Sequence, residues 1–317
     1  MKKIFIAGHK GMVGSAIFRK LKNKSNKIVI ADRKKINLLD QKSVLSFFKK
    51  NKFDEVYLCA AKVGGIHANN TYVADFIYQN LEIQNNLIHS SYLTKVKKLM
   101  FLGSSCVYPK KSKIPIREEY LLTSELENTN EMYAIAKLAG LKMCKAYNSQ
   151  FKTDFRAVMP TNLYGQNDNY DSLNSHVLAA LIKKIVLAKK QNKKSFIVWG
   201  TGKPKREFLH VDDLGDAVLF SLENWDPNSE NAPSDKYGNK LSLLNVGSGI
   251  EISIKDLANK ISELLKYKGN ILWDKSKPDG TPRKKLNCLK INQLGWSAKI
   301  PLDEGILETA KGLAQIY

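Results

Sequence analysis

Cysteine is scarce in this chain of 317 residues, and the four present (Cys59, Cys106, Cys144 and Cys288) stand far apart with no C-x-x-C pair. That spacing argues against a disulfide framework and against a thiolate zinc site, and the thiols are expected to be reduced. The five histidines (His9, His67, His89, His176 and His210) are scattered too, with no H-x-x-x-H pair to share a helix face. No metal site is expected. Long apolar runs are also missing: the stretches 4–7 and 56–61 are strand-sized, far short of the roughly 20 residues that span a bilayer. The first residues enter a strand without the apolar stretch and small-residue cleavage site of a secretory signal. The expectation is a cytoplasmic protein without a membrane partner.

Acidic side chains are the other shortage, 30 against 51 basic ones, for a net charge of +21. Such a balance can serve nucleic acid, or an anionic small ligand, or nothing beyond solvation. The lysines decide the weighting, because Lys20, Lys22, Lys24, Lys49, Lys50, Lys183, Lys184, Lys189 and Lys190 are spread along the chain instead of forming one block. They read first as solvated helix faces and second as steering for a phosphate-bearing ligand, so no nucleic-acid partner is expected.

What the chain does contain is a 43% hydrophobic content in an alternating arrangement. Short apolar runs at 4–7, 28–31, 56–61, 99–102 and 155–159 are separated by longer helix-compatible stretches, the pattern of repeated βαβ units around a parallel sheet. The stretch 133–151 carries apolar residues at helical intervals, leaving its other face free for chemistry. Beyond Leu163 the regularity weakens into polar loops at 166–174 and 224–240, and apolar-patterned segments return at 175–189, 253–265 and 302–314. The fold class expected is α/β: a Rossmann-type doubly wound parallel sheet with a smaller mixed α/β C-terminal subdomain. Residues 1–163 are expected to form the part that carries the main sheet and its ligand and 164–317 the second ligand's part, with the chain allowed to cross back.

Gly8-His9-Lys10-Gly11-Met12-Val13-Gly14 directly follows the first strand and opens a helix, the setting in which a glycine pattern becomes a dinucleotide fingerprint. Gly8 serves the tight turn, Gly11 the close approach of backbone to pyrophosphate, and Gly14 the packing of helix on strand, while the helix start offers free N–H groups to phosphate. His9 is read as shaping the loop. The end of the second strand carries conflicting signals. Asp32 suits a ribose 2′-hydroxyl and hence NAD, whereas Arg33, Lys34 and Lys35, together with Lys10, suit the 2′-phosphate of NADP. The cations outnumber the carboxylate, and NADP is the cofactor expected.

Tyr133 and Lys137 are four apart and share one helix face. An ammonium near a phenol draws its pKa down toward working pH, so Tyr133 can give a proton to a carbonyl oxygen as hydride arrives. The fourth strand runs into Gly103-Ser104-Ser105-Cys106-Val107-Tyr108-Pro109, which sets hydroxyls and a thiol at the carboxyl edge of the sheet, where ligands bind in this architecture. Ser104 is the hydroxyl expected to hydrogen-bond a keto oxygen, with Ser105 second. Cys59 and Cys144 read as core.

Together these motifs resemble the GDP-L-fucose synthase family of extended short-chain dehydrogenases. The resemblance continues through Lys62-Val63-Gly64-Gly65-Ile66, Asn69-Asn70-Thr71-Tyr72, Met159-Pro160-Thr161-Asn162-Leu163-Tyr164-Gly165, Asn174-Ser175-His176-Val177, Arg206-Glu207-Phe208-Leu209-His210-Val211-Asp212-Asp213 and 276–284, and so covers essentially the whole chain. It implies NADPH-dependent reduction of the 4-keto group of a GDP-linked 6-deoxyhexose, after epimerisation at C3 and C5 in the same site. It implies catalytic roles for Ser104, Tyr133, Lys137, Cys106 and His176, the last two dividing proton removal and return. Cofactor contacts are implied for Gly8, Lys10, Gly11, Met12, Val13, Gly14, Arg33, Ala61, Lys137, Pro160, Asn162, Leu163 and His176. Contacts to the GDP-linked sugar are implied for Ser104, Tyr133, Asn162, Lys184, Trp199, Arg206 and Asp279, the last within the turn Lys277-Pro278-Asp279-Gly280. Lys184 stands where several relatives carry arginine; the lysine keeps the charge and loses the planar fork. The superfamily often forms homodimers through helices corresponding to 75–92 and 132–151. Two narrower readings stay open: a C4 reductase alone, acting on another GDP-4-keto sugar such as a heptose, and a non-catalytic dinucleotide sensor.

Overall fold

The computed structural model describes residues 1–171, 175–277 and 279–314, without the side chains of Ile66 and Ala314. Asn174 and Pro278, named above within two motifs, lie outside the described residues, as does the end of the polar stretch 166–174. The first half alternates as its hydrophobic pattern dictates. It runs β1 (Lys3–Ala7), α1 (Met12–Leu21), β2 (Lys27–Ile30), α2 (Gln41–Asn51), β3 (Glu55–Leu58), α3 (Ile66–Thr71), α4 (Val73–Leu93), β4 (Lys98–Leu102), α5 (Glu131–Phe151) and β5 (Phe155–Pro160). β3 and β5 are buried at every position, and β1 and β4 at every position after the first. Near-continuous apolar strands of this kind belong to a parallel sheet covered on both faces.

The apolar run 56–61 is longer than the strand it makes. The ladder ends where the Cys59 N–H donates to the Ala7 carbonyl at 3.0 Å, and the chain then turns under the glycine loop. A Cβ on Gly8 would stand 2.7 Å from the Ala60 nitrogen, so the two backbones touch where a further pair of strand residues would otherwise sit.

The second half adds β6 (Asn162–Tyr164), α6 (Val177–Lys190), β7 (Ser195–Trp199), β8 (Lys205–His210), α7 (Val211–Asn224), β9 (Leu243–Val246), β10 (Glu251–Ser253), α8 (Ile254–Leu264), β11 (Asn270–Asp274), β12 (Arg283–Lys284), α9 (Leu289–Gln293) and α10 (Leu302–Ala314). The six-stranded sheet has the order β2-β1-β3-β4-β5-β9, and all its neighbours are parallel. β9 thus returns from the second half to complete the sheet. α7 returns with it and packs on α1, an approach permitted by Gly215, whose Cβ would already lie 3.2 Å from the Ala16 backbone carbon. Smaller sheets, β10-β8-β12 with β6 on β8 and β11-β7, flank this layer.

Two hydrophobic cores result. The larger fills both faces of the main sheet, with Phe5, Phe48, Leu58, Phe101, Val158, Leu214 and Leu244 in it. The other joins α6, α8 and α10 to β7 through Leu181, Ile185, Phe196, Leu257, Ile261 and Ile306. Among the described residues no helix is long and apolar enough to cross a membrane. The architecture is a doubly wound Rossmann-type sheet, and strand order changes direction between β1 and β3, the switch point at which such sheets open a crevice for ligands.

Candidate active site

At the switch point the residues fit a dinucleotide. Gly8 takes φ +88°, and a Cβ on Gly14 would lie 2.2 Å from the Gly8 carbonyl oxygen, whereas one on Gly11 would meet nothing nearer than 3.5 Å. Two glycines therefore close the turn, and the third leaves open space above the start of α1. Among the described residues no side chain caps that start and no acidic side chain occupies its first turn, so its N–H groups remain available to phosphate. Asp32 is already engaged: its carboxylate accepts from the N–H groups of Lys34 and Lys35 at 3.1 and 3.3 Å and lies 3.7 Å from the Lys10 ammonium. Arg33 beside it is exposed. Ala61 follows β3, Pro160 ends β5, and Leu163 and Asn162 lie on β6. Asn162 and Thr161 both donate to the Glu207 carbonyl, at 2.9 and 3.2 Å, which pins this segment to β8.

α5 lies close against β4 because Gly140 leaves no side chain between them; a Cβ there would stand 2.5 Å from the Phe101 ring. This approach carries Lys137 into the interior, 3% exposed. Its ammonium donates to the Leu102 carbonyl at 2.8 Å and lies 4.9 Å from the centre of the Phe101 ring and 5.9 Å from that of Tyr133. Burial lowers its pKa to about 8. The Tyr133 phenol is displaced in the opposite direction: burial and the neighbouring Cys106 raise its pKa, and a hydrogen bond with Ser104 opposes them only in part. The expectation that the nearby ammonium draws the phenol down does not describe this arrangement, because Lys137 spends its hydrogen bond on a backbone carbonyl and desolvation dominates.

Ser104 also accepts from the Cys106 N–H at 3.2 Å, which starts the single helical turn Ser105–Val107 and fixes the thiol beside the hydroxyl. Two groups that sequence reasoning did not single out hold the sulfur. Asn130 Nδ2 donates to Cys106 Sγ at 3.2 Å and the Lys284 ammonium at 3.8 Å. Lys284 lies in a motif noted above, but nothing in linear sequence brings it to a cysteine 178 positions earlier. The cleft around Cys106 is lined further by Lys110, Glu127 and Thr281, and Glu127 joins the other two at 3.2 and 3.1 Å. His176 stands just before α6. The residue is exposed at its surface, yet desolvation lowers the pKa of its imidazole. Among the described residues no hydrogen bond joins it to Cys106 or Tyr133.

The remaining predicted residues gather on β7, β8 and the turn before β12. Trp199 is 54% exposed, and its ring is flanked by the ammonium groups of Lys184 at 6.0 Å and Lys277 at 5.6 Å. Lys184 donates to the Ile197 carbonyl at 2.8 Å. Burial lowers the Arg206 pKa against the charges of Asp279 and Glu127. Asp279 binds the N–H and the hydroxyl of Thr201 at 2.6 and 2.7 Å, one with each oxygen. It therefore clamps the 200–201 turn with both oxygens.

A glycine-lined phosphate cradle beside a half-buried tyrosine and a buried lysine, at the carboxyl edge of a doubly wound sheet, defines the class of dinucleotide-dependent enzymes that act on a carbonyl or carbinol carbon. Comparison with known proteins narrows this. The NAD dependent epimerase/dehydratase family matches residues 4–232. GDP-L-fucose synthase of Escherichia coli (strain K12) is 49% identical over 313 residues, 97% of this chain and 95% of that protein. Two solved structures superpose over the chain. A GDP-6-OMe-4-keto-L-xylo-heptose reductase from C. jejuni has TM-score 0.93 and 38% identity, covering 100% of this chain and 98% of that one. GDP-mannoheptose C4 reductase from Campylobacter jejuni with NADP bound has TM-score 0.88 and 38% identity, covering 99% and 98%. The chain belongs to the GDP-L-fucose synthase family, within the NAD dependent epimerase/dehydratase family.

Proposed function

We propose that this protein reduces the 4-keto group of a GDP-linked sugar with NADPH and epimerises C3 and C5 of the same sugar first. The observation that carries the reading is the joining of Tyr133 with Ser104 on one side and of Cys106 with Asn130 and Lys284 on the other, the two linked by the Cys106 N–H on the Ser104 hydroxyl. NADPH, when bound along the Gly8–Gly14 loop, supplies the hydride for C4. Lys10 and Arg33 would hold its 2′-phosphate, Asp32 being turned to its own loop.

Ser104 holds the keto oxygen by a hydrogen bond, and Tyr133 gives that oxygen its proton. Burial keeps the phenol protonated at working pH, so the acid is loaded before hydride arrives. The buried Lys137 ammonium supplies positive charge as the phenol becomes phenolate. The same two hydroxyls stabilise an enolate at that oxygen, which lets a proton leave C3 or C5. Cys106 and His176 remove it and return one on the opposite face, with Asn130 and Lys284 holding the Cys106 sulfur in place by hydrogen bonds. Trp199, Lys184, Lys277 and Arg206 bind the GDP portion, and Asp279 shapes that region through Thr201. We also propose the division into 1–163 for the dinucleotide and 164–317 for the sugar nucleotide, a cytoplasmic location, and a homodimer through α4 and α5, whose apolar Tyr78, Leu93 and Phe151 are exposed.

The second reading, C4 reduction alone on another GDP-4-keto sugar, draws support from the heptose reductases that superpose so closely. One experiment separates them. Purified protein receives NADPH and GDP-4-keto-6-deoxymannose in deuterated water, with Tyr133→Phe as control. Cofactor oxidation with deuterium at C3 and C5 is the expected result. Oxidation without deuterium there selects the reductase reading, and no turnover with either a hexose or a heptose overturns both in favour of a dinucleotide sensor.

A further inference from the structure

A cavity of about 850 Å³ opens between α8, β11 and the 200–204 loop, and it shares none of its lining residues with the Cys106 cleft. Lys203, Lys255, Lys275, Trp273, Asn259 and Ser262 line it, and no carboxylate is among its lining residues. Among the described residues, none of the three lysine side chains makes a hydrogen bond or an ion pair, and all three residues are exposed. Three like charges converging on one concavity repel each other and draw in an anion. The indole is held in place from below. Gly202, at φ +76°, lies so close that a Cβ would stand 2.8 Å from the Trp273 ring and 3.0 Å from Lys255 Cβ, and the Lys255 N–H donates to the Gly202 carbonyl at 2.9 Å. Finally, Ser262 is 8% exposed, and its hydroxyl has no hydrogen-bond partner. A buried hydroxyl in that state is rare in a native protein and calls for a partner.

We propose that this cavity is a second binding site, and that its ligand is a nucleotide of about nucleoside-diphosphate size. Phosphates lie among Lys203, Lys255 and Lys275, a flat base lies on the Trp273 indole, and Ser262 and Asn259 provide hydrogen bonds. Cationic phosphate contacts combined with an aromatic platform are how proteins hold nucleotides without sequence preference, and the volume falls within the usual range for small-molecule sites.

Isothermal titration calorimetry tests the site on the whole protein saturated with NADP, in low salt, with ADP and inorganic pyrophosphate as probes. ADP is expected to bind one saturable site, and more tightly than pyrophosphate. The Lys255→Ala/Lys275→Ala double variant should weaken ADP at least about tenfold while its turnover of NADPH and sugar stays unchanged, which shows that it is folded. Trp273→Leu should weaken ADP and leave pyrophosphate alone. Arg206→Ala, which acts at the sugar-nucleotide site, should leave ADP binding intact. The proposal fails if ADP shows no saturable binding, if the lysine double variant binds it as the unaltered protein does, if Arg206→Ala abolishes the binding, or if pyrophosphate binds as tightly as ADP.

Discussion

At the scale of single residues, the proposed chemistry turns on two displaced pKa values. The Tyr133 phenol is raised by burial and Lys137 is lowered to about 8, so at neutral pH the first is a loaded acid and the second remains an ammonium. Tyr133→Phe removes the proposed proton donor and should cost roughly 10²–10⁴-fold in kcat while leaving NADPH binding nearly unchanged, as stopped-flow oxidation and cofactor titration will show. Lys137 gives a pH dependence with a definite sign. Its folded pKa lies below its unfolded value, so the folded protein binds fewer protons than the unfolded chain between about 8 and about 10.4. Burying the charge therefore opposes folding most below about pH 8, and this penalty fades as pH rises through that window. Lys137→Met should abolish the fading in denaturant midpoints measured from pH 7 to 10. For Cys106, substitution by serine should suppress deuterium entry at C3 and C5 about 10²-fold while the reduction of an already epimerised sugar changes only severalfold. Equal loss of both reactions would place the thiol in the reduction itself.

At the scale of elements, two glycines decide where helices lie. Gly14→Ala places a methyl 2.2 Å from the Gly8 carbonyl oxygen, so α1 must withdraw from the loop, and the dissociation constant for NADPH should rise at least about tenfold. Gly140→Ala is a closer contest. Alanine is worth about 1 kcal/mol over glycine in a helix, but overpacking of a filled interface costs about 1–3 kcal/mol, and the new methyl would lie 2.5 Å from Phe101 and 2.8 Å from Gln84 Oε1. The overpacking should win, with net destabilisation in thermal unfolding and a fall in kcat as Lys137 shifts on α5. The reading of elements from sequence divided along the same line. Strands buried on both faces were visible as apolar runs, and helices with an apolar stripe as periodic ones. β9 was not visible, since LLNV is only four residues long, follows a polar loop, and becomes a strand through its pairing with β5 at Ala157, Val158, Met159 and Pro160. α7 was missed as well, for it contains two aspartates in its first turn and is buried because Gly215 lets α1 approach.

At the scale of the whole molecule, the charge of +21 surrounds a site whose substrate carries a diphosphate. Raising salt from about 20 to about 200 mM should raise the KM for the GDP-linked sugar about threefold to tenfold and leave kcat unchanged, because exposed lysines act by attraction at a distance that salt screens. A kcat that falls equally would mean that the charge acts within the bound complex. The two halves meet at the cleft itself: Cys106 stands after β4 and Lys284 on β12, joined at 3.8 Å. The thiol's environment thus depends on how the second half packs against the sheet.

The sequence alone determined the parallel α/β architecture and the glycine loop with its switch-point setting, and it singled out Tyr133, Lys137 and Ser104 as candidates from adjacent residues and a fixed helical spacing, with Cys106 added by resemblance to a family. Tertiary structure alone decided what those groups are chemically. Only folding brings Asn130 and Lys284 to the thiol and turns Lys137 onto the Leu102 carbonyl, and only burial separates the phenol and ammonium pKa values in the directions found. Spacing along a chain fixes which side chains share a face, whereas desolvation and the field of distant charges exist only once the faces have closed on one another.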